Sequence, residues 1–300
     1  MERASSSTRA WTRIHCVSLR HSCTLNSNGS LTMSSKELAQ HSSIRELSKT
    51  ENFAANVVAA IVQIPLANSP AELLDRLAKV TQAIGASGSI YTAGIPEGGR
   101  ETSSFSLFAC HPGFAQAQCT TGSMLEHPWF RFARRHTMPG TNHQVPQQDN
   151  VDVQAIDLAN QYGFRSCLIV PTPAGPDVDR LDMLCIGSAT PDDFEGTQAQ
   201  LVRTLARALA AELHDWLTRH LQERLREAAR LHTHDVTLLA MEWQGMGSKE
   251  IAQRTGMTAT SVNSRFQRIN ARLHCRNRRA SAQRAAAHGL MESSQVGPQS

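Results

Sequence analysis

Within eight residues of one another stand Thr260, Ser261, Asn263, Ser264 and Gln267, interleaved with Arg265 and Arg268 and followed by Arg272. An amide side chain donates and accepts at once, which suits Asn and Gln to the edge of adenine, while guanidinium groups suit phosphate oxygens. This is groove-reading chemistry, and it needs one helix to hold the set on a common face. Val262, Phe266, Ile269 and Leu273 recur at i, i+4, i+7 and i+11 and supply the opposite, buried stripe of such a helix. A merely solvated helix more often mixes Glu with Lys.

A second short helix must brace the first. Ile251 and Ala252 give it an apolar side, Gly256 sits where the chain turns, and Ser248 and Thr258 stand where a hydroxyl can cap each helix start. Lys249 lies at the exposed beginning of this bracing helix. From residue 231 onward the basic residues exceed the acidic ones by five, whereas the whole chain carries only +4, so the rest of the chain is slightly acidic. A basic surface confined to one domain is the footprint of a polyanion such as double-stranded DNA. No basic amphipathic helix with a broad apolar face accompanies it, so a membrane surface is not the expected partner.

Chemistry of other kinds finds little support. Cys110, His111 and Cys119 offer nucleophile-type groups, but no base and orienting residue follow in pattern, and neither a Gly-rich phosphate loop nor a GxSxG elbow occurs. The seven cysteines form no CxxC pair and no regular spacing with histidine, so neither zinc nor a disulfide framework is expected and a reducing cytoplasm fits. The longest apolar run, residues 54–66, is too short to span a bilayer. The chain is therefore expected to be no enzyme and to need no metal.

The C-terminal block from 231 to 291 resembles the DNA-binding domain of LuxR-type transcription regulators. Leu231, Leu238, Leu239, Gly245, Lys249, Glu250, Ile251, Ala252, Val262, Leu273, Asn277, Arg278, Gly289 and Leu290 match that pattern without a gap. Departures fall at His232, Thr233, His234 and Asp235, where Thr-Pro-Arg-Glu is usual, and at Thr255 in place of Leu. The resemblance implies that Asn263 and Gln267 face base edges while Lys249, Arg265 and Arg268 reach phosphates.

Ahead of this block, residues 51–218 read as one α+β domain. Val57, Val58, Ile61, Val62 and Leu66 have helical spacing, as do Leu73, Leu74, Leu77, Val80 and Ile84 after Ser69 and Pro70. Strand-like runs follow at 87–92, 102–109, 166–171 and 181–188, with a helical stretch near 151–162. The expected architecture is an α/β/α sandwich around a central antiparallel sheet, followed by an all-α helix-turn-helix domain. Residues 162–171, YGFRSCLIVP, carry a resemblance to the acyl-homoserine-lactone-binding domain of the same regulators. That resemblance places ligand-bonding Trp, Tyr, Asp-Pro, a further Trp and a Gly where this chain has Phe114, Gln118, His127 with Pro128, Asn142 and Cys167. Ser188 completes the candidate ligand contacts. Each lost bonding partner strands a buried ligand group at about 1–3 kcal/mol, so a lactone-blind sensor is expected, with Trp129 and Phe130 filling the cavity. His127 as a neutral acceptor and Gln118 as donor and acceptor leave another small signal open.

Leu201, Leu205, Leu209, Leu213, Leu217, Leu221 and Leu225 recur every fourth residue, which predicts one long helix through the linker at 219–230. Successive leucines rotate by about 40°, so no single surface covers the row. Leu201 to Leu213 are expected against the sensor's sheet and Leu217 to Leu225 against a second chain, with a purely intramolecular helix as the competing reading. An Ala-rich helix at 277–290 is a further place for two readers to meet. A homodimer, an inverted-repeat operator and contact with RNA polymerase follow from the resemblance, as does the alternative of acting without a lactone or through mixed dimers with a related regulator. Residues 1–50 are expected to be disordered or a mis-assigned extension, with Met33 as the true start, and 292–300 to be a tail. Native protein with an intact mass beginning at Met1 would reject that start.

Overall fold

Ser69 sets the first long helix of the sensor: its hydroxyl accepts from the Glu72 N–H, Pro70 fills the first helical position, and Gly85, at φ 79°, ends the helix in a left-handed turn. In the computed structural model, which describes residues 15–18, 43–175 and 178–291, that helix is α3 (Pro70–Ile84). It follows α1 (Ile44–Leu47) and α2 (Phe53–Ile61). The remaining sensor elements are β1 (His15–Ser18), β2 (Gly88–Pro96), β3 (Thr102–Ala109), α4 (Pro112–Thr121), α5 (Pro128–Ala133), β4 (Gly140–Thr141), α6 (Asn150–Gln161), β5 (Ser166–Pro173) and β6 (Leu181–Ser188).

The strands lie in the order β1-β3-β2-β6-β5-β4. Every neighbouring pair is antiparallel except β1 with β3, which is parallel. Alternation along the strands sorts the side chains. Tyr91, Ala93, Leu107, Leu168, Val170, Leu184 and Ile186 bury against α2, α3 and the long helix α7 (Gln200–Ala228), while Ile90, Phe108, Cys167, Ile169, Met183 and Cys185 bury on the other face with α4 to α6. The expected α/β/α sandwich is what the chain adopts.

Three expectations need correction. The span 1–50 is not wholly outside the fold, because His15–Ser18 adds a strand and Ile44 is buried in the sensor core, held by Ser43 and the Ile44 N–H on Asp193. Residues 1–14, 19–42 and 292–300 lie outside the described residues. Of the residues expected on one helical face there, Val57 and Ile61 turn inward with Phe53; the helix ends at Ile61, and Val58, Val62 and Leu66 are 46 to 58% exposed. The long helix expected from the leucine row is α7, which runs unbroken from 200 to 228 through the linker. Its leucines also divide differently: Leu205 to Leu221 all enter the sensor core, Leu225 enters the reader core, and Leu201 is left outside. The row winds around the helix and passes from one domain to the other, so this chain itself covers Leu217 to Leu225.

Beneath α7 lies a buried polar knot. Arg180 gives two bonds to Asp182, at 3.0 and 2.7 Å, and a third to Thr218 on α7 at 2.9 Å; the Tyr91 hydroxyl and His214 reach the same carboxylate at 2.6 and 2.7 Å. Burial pushes the Asp182 carboxyl up, but the Arg180 charge and the bonds from His214 and Arg180 outweigh it and hold it at about 2.

The reader comprises α8 (Thr233–Trp243), α9 (Ser248–Thr255), α10 (Ala259–Arg272) and α11 (Arg278–Ala287). They close on a core that includes Leu231, Leu238, Leu239, Ile251, Val262, Phe266, Ile269, Leu273, Ala285 and Leu290.

Candidate nucleic-acid interface and sensor face

Gly256 turns the chain between α9 and α10 at φ 69°, a left-handed value that costs glycine little. Thr258 then caps α10, its hydroxyl accepting from the Ser261 N–H at 3.1 Å. With Val262, Phe266 and Ile269 buried, the opposite face presents Thr260, Ser261, Asn263, Ser264, Gln267 and Arg268 to solvent, and Lys249 on α9 is exposed as well. Ser248 does not cap its helix, because Gly247 holds the cap position. Its hydroxyl instead donates to Asn263 Oδ1 at 2.7 Å and accepts from Arg278 at 2.7 Å, which orients the Asn263 amide before any partner arrives.

Two of the eight sequence-selected residues on α10 are ion-paired to the scaffold. Arg265 Nε donates to Asp235 Oδ1 at 2.8 Å, and Arg272 donates to Asp235 Oδ2 at 2.9 Å. Asp235 is buried in α8 and also accepts from the His232 N–H at 3.1 Å. Burial pushes its carboxyl up, yet the bonds from Arg265, from the His232 backbone and from Arg272 bring it below the usual carboxylate range. Arg265 and Arg272 thus tie the outward helix to the scaffold, leaving Lys249 and Arg268 as the exposed cations of the sequence-selected set.

The reader is docked on its own sensor. Glu97, in the turn between β2 and β3, pairs with Arg284 of α11 at 2.6 Å and accepts from Ser103 at 2.6 Å. Next to it, a Cβ at Gly98 would fall 2.6 Å from the Ala280 carbonyl oxygen, so only glycine permits this approach. On the α7 side, Gln222 donates to the Gly289 carbonyl at 2.6 Å. The Ala-rich helix expected between two readers is therefore covered by this chain's own hairpin and long helix.

On the outer face of the sheet, Phe114, Phe130, Phe132, Trp129, Phe164 and Cys167 bury in one cluster. Phe164 stands 5.3 Å from Phe114 and 5.6 Å from Trp129, centroid to centroid. His127 caps α5, Nδ1 accepting from the Trp129 N–H at 3.3 Å, and the two rings lie 4.4 Å apart. Gln118, at the edge of the cluster, donates to the Met124 sulfur at 3.4 Å. Asn142 sits apart from it and accepts from the Cys167 N–H at 3.1 Å. Ser188 faces the opposite side of the sheet and donates to Asp193 at 2.5 Å. The structure brings Phe114, Gln118, His127 and Cys167 together and leaves Asn142 at the rim and Ser188 elsewhere.

Two of the three nucleophile-type groups, Cys110 and His111, are taken up by the fold. Burial pushes the Cys110 thiol up to about 12, so it carries no thiolate at neutral pH, and His111 Nδ1 is occupied by the Gly113 N–H at 3.1 Å. Among the described residues no group of three or more His, Cys, Asp or Glu is placed to hold a metal, and no helix is long and apolar enough to cross a membrane.

Two buried histidines set an acid limit. Burial lowers His127 to about 3 and His288, at the docking seam, to about 4, from an ordinary value of 6.5. Each is neutral in the folded chain and binds a proton on unfolding, so stability is complete above pH 6.5 and falls as pH drops toward those values. Between pH 7 and pH 5 each should cost about 2 kcal/mol. Urea unfolding at the two pH values checks this, and His288→Gln should remove about half of the difference.

The chain matches no protein-family model, and no curated protein matches it by sequence. Solved structures do match. A crystal structure of Escherichia coli SdiA covers 80% of this chain and 99% of its own, at 14% identity and a TM-score of 0.57. This chain shares the fold of SdiA. A second SdiA structure, in complex with octanoyl-rac-glycerol, covers 81% of this chain at 14% identity with a TM-score of 0.58. CepR2 from Burkholderia cenocepacia, an N-acylhomoserine-lactone-dependent LuxR family transcription factor, covers 57% at 12% identity and a TM-score of 0.45. The SdiA likeness extends over almost the whole of the SdiA chain, so it takes in both domains.

Sequence reasoning had selected the outward face of α10 but not what holds it. Asp235, Glu97 and the Arg180 and Asp182 pair went unread. A signal existed for the last: opposite charges two residues apart at the start of an apolar strand must share one face, and that face is buried.

Proposed function

We propose that this chain is a LuxR-type transcription regulator that binds specific double-stranded DNA through α10, acts as a homodimer on an inverted repeat in the cytoplasm, and contacts RNA polymerase from that site. The observation that carries the proposal is the exposed face of α10, polar and cationic, with the Asn263 amide already oriented by Ser248. In this reading Asn263 and Gln267 meet base edges, Thr260, Ser261 and Ser264 approach the groove wall, and Lys249 and Arg268 meet phosphates. A helix-turn-helix dimer reaches half-sites roughly 34 Å apart, which makes an inverted repeat the matching operator. The intact set of groove-facing side chains speaks against a chain that acts only by sequestering a related regulator in mixed dimers. One solved structure of similar fold bears on the signal: SdiA is in complex with octanoyl-rac-glycerol. For this chain a small-molecule signal is proposed, with a sensor face that lacks the carboxylate a lactone amide requires.

Fluorescence anisotropy with a selected operator and a scrambled duplex tests the assignment. Gln267→Ala should cost about 1–3 kcal/mol on the operator alone, narrowing the gap to the scrambled duplex. Arg268→Ala should weaken both duplexes alike and reduce the slope of log affinity against log salt by about one. The reverse pattern would contradict the register.

A further inference from the structure

Four helices of the reader meet in one chain of polar contacts that ends on the exposed face of α10. Glu242, near the end of α8, pairs with Arg278 Nε at 2.9 Å, and Arg278, the first residue of α11, donates from Nη1 to the Ser248 hydroxyl at 2.7 Å. The same guanidinium lies 5.9 Å over the ring of Phe266, from the buried stripe of α10. Ser248, the first residue of α9, then donates to Asn263 Oδ1 at 2.7 Å. The direction of these bonds is set from the scaffold outward. A guanidinium only donates, so the Ser248 oxygen receives from Arg278 and its single proton passes on to Asn263. The last link therefore falls on the amide oxygen, and among the described residues nothing accepts from the amide nitrogen.

Bases differ in what they can do with such a group. An unrestrained Asn or Gln suits adenine because its oxygen accepts from N6 while its nitrogen donates to N7, which requires both atoms to stand level with the base. With Oδ1 held back on the α9 scaffold, Asn263 presents Nδ2 alone, a pair of N–H bonds without an acceptor. On the major-groove edge guanine offers two acceptors side by side, adenine and thymine offer one each, and cytosine offers only a donor. We infer that Asn263 reads DNA as a donor only, choosing guanine and rejecting cytosine, and that Ser248, held by Arg278, is the positioning residue that sets this choice. The inference rests on the proposed DNA-binding role of α10 and deepens it by naming a base. Gln267, one turn further along the exposed face, has no such tether among the described residues and keeps the adenine chemistry of a free amide.

Competition anisotropy with the full-length chain tests this, using the selected operator with each of the four base pairs placed in turn at every half-site position. Asn263→Ala locates the pair concerned, as the position whose preference it flattens. At that pair the parent should favour guanine over cytosine by about tenfold, with adenine between them. Ser248→Ala, which frees the amide oxygen, should move the preference to adenine, whereas Ser248→Thr, which keeps a hydroxyl, should retain guanine. A reader that had merely loosened would bind all four duplexes more weakly in equal measure. Such uniform weakening in Ser248→Ala, or an unaltered profile, overturns the inference. So does a parent that prefers any base other than guanine at that pair, or an Asn263→Ala chain that flattens no position. Each of these results leaves the DNA-binding reading standing as long as Gln267→Ala still narrows the gap to the scrambled duplex. A parent that does not separate operator from scrambled duplex removes the reading and the inference together.

Discussion

Asp235→Ala should destabilise the reader by about 2–3 kcal/mol and abolish measurable operator binding, even though Asp235 itself faces no solvent and would repel DNA if it did. The buried carboxylate receives Arg265, Arg272 and the His232 N–H, so its loss strands two guanidinium groups and an N-terminal backbone donor together. Breaking a fully buried pair costs about 3–5 kcal/mol, and the figure is reduced here because both arginines remain about one third exposed and water can partly replace the carboxylate. Without the ties, α10 loses its charged anchor to α8 and is held less firmly to the scaffold. Thermal unfolding followed by circular dichroism, together with anisotropy, checks both halves. Arg268→Ala is the control, expected to weaken DNA binding without lowering the melting temperature. An Asp235→Ala chain as stable as the parent would show that the ties do not hold the helix.

Asp182→Ala should have the larger effect on the whole protein. Its carboxylate receives Arg180, Tyr91 and His214 in a place that water does not reach, and Arg180 also bonds Thr218 on the long helix. Removing the carboxylate leaves a buried guanidinium uncompensated, at a cost of about 3–5 kcal/mol. Replacing both partners with apolar residues, Arg180→Met with Asp182→Leu, should recover much of that loss, because an ion pair costs its own desolvation. Denaturant midpoints for the single and double variants decide the matter: a double variant no more stable than Asp182→Ala would mean that packing rather than stranded charge dominates. The knot also lies under the seam, since Thr218 abuts Gly289, where a Cβ would come within 2.4 Å. Loosening it should therefore loosen the reader as well as the sensor.

What could be read from the sequence was whatever repeats at short range. The 3.6-residue period placed α3 and α10, and residue alternation placed β3 and β6 to within a residue, because each depends on neighbours along the chain. Thr258 was legible as a cap, while Ser248 was misassigned by one position because Gly247 takes the cap and frees the hydroxyl for Asn263. The outward-facing residues of α10 were legible for the same local reason. Their supports were not. Asp235 lies 30 residues from Arg265, Glu97 meets Arg284 across the two domains, and nothing in local spacing announces either pairing. The leucine row shows the intermediate case: its winding was plain, but which surface meets which leucine depended on the reader folding back on the sensor. His127 could be read as a group that binds either way, and only its bond to the Trp129 N–H decides which nitrogen carries the proton.

Selection from a random duplex library with the purified full-length chain, at moderate salt and with octanoyl-rac-glycerol present and absent, bears most directly on whether α10 reads DNA. The account predicts enrichment of an inverted repeat whose half-sites are separated by about one helical turn, lost on Gln267→Ala and retained at lower affinity on Arg268→Ala. A pool that remains random after selection under both conditions would contradict it.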